Sequence, residues 1–90
     1  MNFEWDSSQA AANVRKHGVA FEEAESALKD NYSATARDLE HSMGEFTFIT
    51  VGISSRARLL AVSHTERGNV IRIISARLAT RSERKIYEES

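Results

Sequence analysis

The sequence predicts an α+β domain in which an N-terminal helical hairpin packs on an antiparallel β-sheet and a C-terminal helix closes the chain. Three observations carry this. A stretch of small residues at helical spacing stops at Gly18, and a second apolar stripe follows at once. From Glu45 to Arg77 the chain runs through three strand-like segments joined by short turns, the pattern of an antiparallel meander. The β-branched run Val70-Ile71-Arg72-Ile73-Ile74 then hands over to Thr80-Arg81-Ser82-Glu83, a capping box that opens a helix. Ninety residues suffice for one core and not two, so residues 1–90 read as a single domain.

Each element has a local cause. Phe3-Glu4-Trp5 alternates and reads as a short first strand. Asp6 is a good N-cap, with Gln9 at the third helical position and Trp5 placed to staple against Ala10. The helix reaches about His17, and its apolar positions (Ala10, Val14 and the flanking Ala11–Ala12) are small enough for close packing. Arg15, Lys16 and His17 fill the last turn, where cations suit the helix dipole, and Gly18 stops the helix. A second helix over about 21–28 shows Phe21, Ala24 and Leu28 as its apolar stripe, with Glu22, Glu23 and Glu25 facing outward. Ser33–Arg37 reads as a short edge strand and Asp38 to Gly44 as a loop.

In the segment from Glu45 to Ser54, Thr47, Ile49, Val51 and Ile53 share one side, and Phe46, Phe48 and Thr50 the other. Ser54–Ala57 is a turn. Arg58–Thr65 is the next strand, with Leu60 and Val62 on a face with Arg58 and His64. Glu66-Arg67-Gly68-Asn69 is a tight hairpin turn whose Gly and Asn can take positive φ. The strand from Val70 to Arg77 is expected to be central and covered on both faces. The last helix spans about 81–89.

Composition narrows the chemistry. The chain has no cysteine, which removes disulfides, thiolate metal sites and a cysteine nucleophile. The histidines at 17, 41 and 64 lack short ligand spacing. His41-x-x-x-Glu45 is the nearest approach to a metal pair, and neither a metal nor another cofactor is expected. No segment has the length and apolarity of a membrane span, so a soluble, cytoplasmic protein with no membrane partner is expected. The formal net charge of −1 hides an asymmetry. Residues 1–55 carry four cations against nine acids, and residues 56–85 carry eight cations against two. Seven of those eight are arginine, the side chain suited to bidentate binding of phosphate or carboxylate. An anion-binding surface follows from arginines set inside apolar strands.

Five blocks in order resemble the BrnT family. They are Phe3-Glu4-Trp5-Asp6; Asn13-x-x-Lys16-His17-Gly18-Val19-x-Phe21-Glu22-Glu23-Ala24; His41-Ser42; Thr65-Glu66-Arg67-Gly68; and Arg72-Ile73-Ile74-Ser75-Ala76-Arg77. The resemblance spans nearly the whole chain. It implies a RelE-like ribonuclease toxin of a bacterial type II toxin–antitoxin module, which inhibits translation by cutting RNA. It also implies neutralisation by a BrnA-type ribbon-helix-helix antitoxin, assembly into a heterotetramer with it, and contact with promoter DNA only through that complex. One position departs from the family pattern: Thr47 stands where the family has an arginine, in Glu45-Phe46-Thr47-Phe48. A weakened or inactive homologue that only binds antitoxin and tunes its promoter is therefore the alternative.

RNA cleavage without a metal uses the substrate's own 2′-hydroxyl as nucleophile. The protein must take that proton, hold the phosphate and stabilise the phosphorane. Arg72 and Arg77 are the candidates for the scissile phosphate, and Arg58 and Arg67 are helpers. His64, set among cations, is the first candidate acid or base, followed by Glu45 and by Tyr87 from the last helix. Lys16, His17, Arg81 and Arg84 complete the RNA-binding set. Each has a structural alternative: Arg72 or Arg77 pairing with a helix carboxylate such as Glu22, His64 as a capped strand end, Tyr87 packing its ring on the sheet beside Ile86 with its hydroxyl in solvent, and Lys16 and His17 capping the helix dipole.

Overall fold

Capping and alternation produce the elements where the sequence puts them. The computed structural model describes residues 1–39 and 46–89. In chain order it contains β1 (Asn2–Glu4), α1 (Ser7–His17), α2 (Phe21–Leu28), β2 (Ala34–Arg37), β3 (Thr47–Ile53), β4 (Leu59–Arg67), β5 (Val70–Leu78) and α3 (Arg81–Glu89). Asp6 Oδ1 accepts from the N–H groups of Ser8 (2.7 Å) and Gln9 (3.0 Å), and those bonds hold its carboxyl below the ordinary range. Gly18 ends α1 in the left-handed region at φ 69°, which only glycine enters without strain. At α3, Thr80 N–H donates to Glu83 Oε1 (2.8 Å) and Glu83 N–H to Thr80 Oγ1 (3.2 Å), closing the capping box. In the β4–β5 turn Gly68 takes φ 57°, and Asn69 is not in the positive-φ region.

The sheet has the order β1-β5-β4-β3-β2. The meander β2–β3–β4–β5 is antiparallel as expected, but β1 joins β5 in parallel, so the sheet is mixed. No turn links β1 to β5, so nothing local sets their relative direction; the helical hairpin intervenes between them. The central strand is β4, with Leu59 to Val62 buried. This corrects the expectation for β5, whose inner residues Ile71, Ile73 and Ala76 are buried while Arg72 is exposed and Ile74, Ser75 and Arg77 are half-buried. The two adjacent isoleucines mark a bulge, not double-sided burial. Ser63 pairs with Ser75 and His64 with Ile73, leaving Ile74 as the extra residue.

The main core lies between the hairpin α1–α2 and the sheet: Val19, Phe21, Ala24 and Ala27 against Leu60, Val62, Ile73 and Ala76. Trp5 meets Phe21 edge-on at 6.0 Å between centroids. A smaller cluster on the other face joins Val51, Leu59 and Ala61 to Ile49, Ala79 and the α3 residue Tyr87. Gly52 lets β3 pass directly beneath the Ala27 carbonyl of α2, where a Cβ would collide with that oxygen. Among the described residues, no helix is long and apolar enough to cross a membrane.

Two helix positions differ from the sequence reading. Val14 is half-exposed, and the buried side chain of α1 is Asn13. Its amide donates to the carbonyls of Val19 and Ala76 (2.8 Å each) and accepts from Ala76 N–H (3.1 Å). β1 covers the β5 edge only from Val70 to Arg72, and Asn13 supplies the missing partner further along that strand. On α2, Glu23 faces inward at 6% exposure instead of outward. Arg58 is the reason: its guanidinium binds both carboxylate oxygens of Glu23 and also donates to the Gly18 carbonyl (3.1 Å). Ser54 Oγ donates to the same carboxylate at 2.6 Å.

Candidate functional site

Strand alternation sorts the charged residues onto two faces. The face covered by α1 and α2 holds Phe48, Thr50, Leu60, Val62 and His64; the opposite face holds Thr47, Ile49, Ser63, Thr65, Arg72, Ser75 and Arg77. α3 covers only one end of that second face, near Val51, Leu59 and Ala61. Among the described residues, two clefts open on the remainder. One, of about 320 Å³, is lined by Asp38, Thr47, Ile49, Ser63, Ile74, Ser75 and Arg77. The other, of about 470 Å³, is lined by Glu4, Thr65, Arg67, Val70 and Arg72.

The clefts meet where Thr47 pairs with Thr65. A single row crosses the sheet there. Asp38 N–H donates to the Thr47 carbonyl (2.7 Å), Thr47 faces Thr65, Thr65 faces Arg72, and Arg72 faces Glu4. The row therefore runs carboxylate, hydroxyl, hydroxyl, guanidinium, carboxylate. Its polar groups surround a small-residue floor, which leaves room for an extended anionic chain.

Both site arginines are held by carboxylates of the chain itself. Arg77 meets Glu83 through two parallel bonds, Nη1 to Oε1 (2.7 Å) and Nη2 to Oε2 (3.0 Å). That pairing raises the Arg77 pKa and holds Glu83 below the ordinary glutamate value, burial opposing both. Because Glu83 also closes the α3 capping box, the helix start and the guanidinium plane are fixed together. Arg72 Nη1 donates to Glu4 Oε2 at 2.7 Å across an exposed surface. The partner anticipated from sequence, Glu22, is exposed and takes neither arginine.

The other sequence candidates are placed as follows. His64 does not join the arginines. It lies on the helix-side face at 1% exposure, stacked on Phe48 (5.8 Å) with Nε2 2.7 Å from Thr50 Oγ1. Burial pushes its pKa below the ordinary imidazole value, with Glu66 working the other way. The odd spacing created by the bulge does not bring it to the arginine face. Tyr87 packs its ring in the smaller cluster, as its structural alternative has it, but its hydroxyl does not go to solvent: it donates to Asp30 Oδ2 (2.6 Å), which raises its pKa. Arg58 is committed to Glu23 and Gly18 on the helix side. Lys16 and His17 end α1 on that same side, Lys16 exposed and His17 half-buried. Arg81 and Arg84 are exposed on α3. Arg67 joins Arg72 in the larger cleft. Glu45, His41 and the His41–Glu45 pair lie outside the described residues.

Sequence reasoning passed over Asp38, which was read as the start of a loop. Its signal was present: it extends the β2 alternation by one residue, on the same face as Ala36 and opposite Thr47. Asn13, Glu23 and Asp30 were missed as buried or shared hydrogen-bond partners, because nothing in a single sequence marks which polar residue turns inward.

Comparison with known proteins agrees with this geometry. The fold is similar to that in a crystal structure of the Brucella abortus ribonuclease toxin, BrnT, with a TM-score of 0.67 at 21% sequence identity, covering 90% of this chain and 99% of that one. No curated protein sequence matches the chain. The model of the BrnT family, described as ribonuclease toxins of type II toxin–antitoxin systems, matches residues 5–83, and the chain belongs to that family.

Proposed function

We propose that the chain is a metal-independent endoribonuclease that arrests translation, and that a BrnA-like ribbon-helix-helix antitoxin neutralises it by covering the arginine face. The observation that carries this reading is the open sheet face. Arg67, Arg72 and Arg77 stand there beside the hydroxyls of Thr47, Ser63, Thr65 and Ser75 in two contiguous clefts. Guanidinium groups neutralise a phosphodiester and its phosphorane, and the substrate supplies its own nucleophile, so the chemistry asks for positioned charge above all. Arg72 and Arg77 take the phosphate, and Arg67 with the α3 cations Arg81 and Arg84 holds flanking nucleotides. The antitoxin complex is a heterotetramer and meets promoter DNA through the antitoxin.

Induction of the chain alone in a bacterial host tests this, with growth and total RNA followed against an Arg77→Ala control. Arrest with RNA loss, insensitive to chelator in vitro and relieved by the substitution, is the expected result. Normal growth with soluble expression overturns it. In the antitoxin complex, residues 56–85 become protected from hydrogen exchange; unchanged protection overturns the masking.

A second reading has its own observation. Thr47 is 7% exposed and lines the cleft at the position where the family pattern has an arginine. The chain would then be a weakened toxin that retains antitoxin binding and promoter control. Tight antitoxin binding without RNA cleavage, with cleavage gained in Thr47→Arg, is the outcome expected of it.

A further inference from the structure

We infer that the Arg77 cleft is a base pocket. It seats the unpaired base of a nucleotide beside the phosphate that Arg77 takes, packed against Ile49 and Ile74, with the hydroxyls of Ser63 and Ser75 at the polar edge of the base. The inference rests on the ribonuclease reading above and adds what would give that site a sequence preference.

The two clefts differ in kind. The larger holds two arginines, Arg67 and Arg72, a lining suited to backbone phosphates, which carry no sequence information. Among the described residues lining the smaller, Arg77 is the one cation. Isoleucines and hydroxyls make up most of the rest. That combination suits a base lifted out of its stack, which is held by apolar contact on its face and hydrogen bonds on its edge. The cleft volume of about 320 Å³ lies at the small end of the range for ligand pockets, roughly 300–1,000 Å³.

The β5 bulge builds this lining. In a regular strand, consecutive side chains point to opposite faces. Ile74 is the extra residue between Ile73, which pairs with His64, and Ser75, which pairs with Ser63. Ile74 and Ser75 consequently both line the cleft, an apolar side chain next to a hydroxyl, while Ile73 and Ala76 stay in the core on the other face. Cross-strand pairing sets Ile49, Ser63 and Ser75 in one row, about 10 Å long over two strand-to-strand steps. The neighbouring row carries Arg77, paired with Ala61, so the guanidinium flanks the pocket. All four pocket side chains are half-buried and reachable by a ligand. Among the described residues, neither serine hydroxyl has a hydrogen-bond partner. A hydroxyl both donates and accepts, so the pair can meet a donor and an acceptor on the same base edge.

The test uses the full chain and binding alone. Affinity is measured by fluorescence anisotropy for four labelled 2′-fluoro hexanucleotides, each of a single base, and for an abasic hexamer that keeps every phosphate. One base is expected to bind tightest. Ser63→Ala and Ser75→Ala, which each remove one oxygen, are expected to shrink that advantage roughly 2–10-fold. Ile74→Ser is expected to weaken the favoured hexamer roughly 3–10-fold and leave the abasic one unchanged. Equal affinity for the four bases overturns the assignment, as does an advantage that survives both serine changes. So does an equal loss on the abasic hexamer in Ile74→Ser, which would give that residue a structural role only. Digestion of total bacterial RNA separates this outcome from the ribonuclease reading. A chain that prefers one base but cuts no RNA keeps the pocket and loses the enzyme. A chain that cuts RNA but binds all four bases alike does the reverse.

Discussion

Asn13 shows how much one polar side chain can hold. It satisfies the N–H and carbonyl of Ala76 and the carbonyl of Val19, tying α1, the α1–α2 link and β5 together. Asn13→Ala leaves those groups buried without partners and is expected to destabilise the fold by about 2–4 kcal/mol, read from the urea midpoint at unchanged m-value. The Glu23–Arg58 pair gives a pH signature instead. Arg58 hydrogen bonding, with help from Ser54 and against burial, holds Glu23 below its ordinary value of 4.5. A carboxylate depressed in the folded state stabilises above its unfolded pKa, and the gain disappears as pH falls through the folded value. The buried, depressed His64 acts in the same direction below its ordinary 6.5, because the unfolded chain takes up that proton first. Stability is therefore expected to fall as pH drops below 6.5 and again below about 4.5. Melting curves across pH check this: Glu23→Gln flattens the lower step and His64→Gln the upper.

At the scale of elements, the close approach of α2 to β3 is the tightest joint. Gly52→Ala would drive a methyl group into the Ala27 carbonyl, and because that oxygen is backbone, strand or helix must move. A loss of about 2–3 kcal/mol is expected by urea unfolding. The same elements show where the sequence was readable. Caps and turns depend on one or two neighbouring residues, so Asp6, Gly18, Gly68 and the Thr80–Glu83 box appear where they were expected. The β5 bulge was not readable, since a run of β-branched residues fits either a doubly buried strand or a strand with one residue extra. Nor was the parallel pairing of β1, which depends on residues some seventy positions apart: Phe3 beside Ile71.

Across the whole molecule, folding divides the arginines of the basic second half between the two faces of the sheet and pairs Arg58, Arg72 and Arg77 with carboxylates. Three of these arginines, Arg67, Arg72 and Arg77, line the clefts. If each meets one phosphate of a single strand, log affinity against log salt has a slope of about −2, and each Arg→Ala change makes it shallower by about 0.7. Fluorescence anisotropy with a labelled single-stranded RNA over a salt series measures this. A slope unaffected by all three substitutions would place the nucleic acid elsewhere. Arg58→Ala, by contrast, should leave the slope alone and lower stability, because that guanidinium serves the Glu23 joint.

The residues of the family-like block from Asn13 to Ala24 now divide by what they touch. Asn13, Gly18, Val19, Phe21, Glu23 and Ala24 build the hairpin and its attachment to the sheet. The sequence by itself determined the helices, the strands, the antiparallel meander and the concentration of arginine in its second half. It could do so because propensity, capping and alternation act over a few residues. Only the tertiary structure decided which polar side chains turn inward, which carboxylate holds which arginine, and that His64 and the arginines stand on opposite faces. Those outcomes depend on strand register and on contacts between distant segments, where a shift of one residue exchanges the two faces of a sheet.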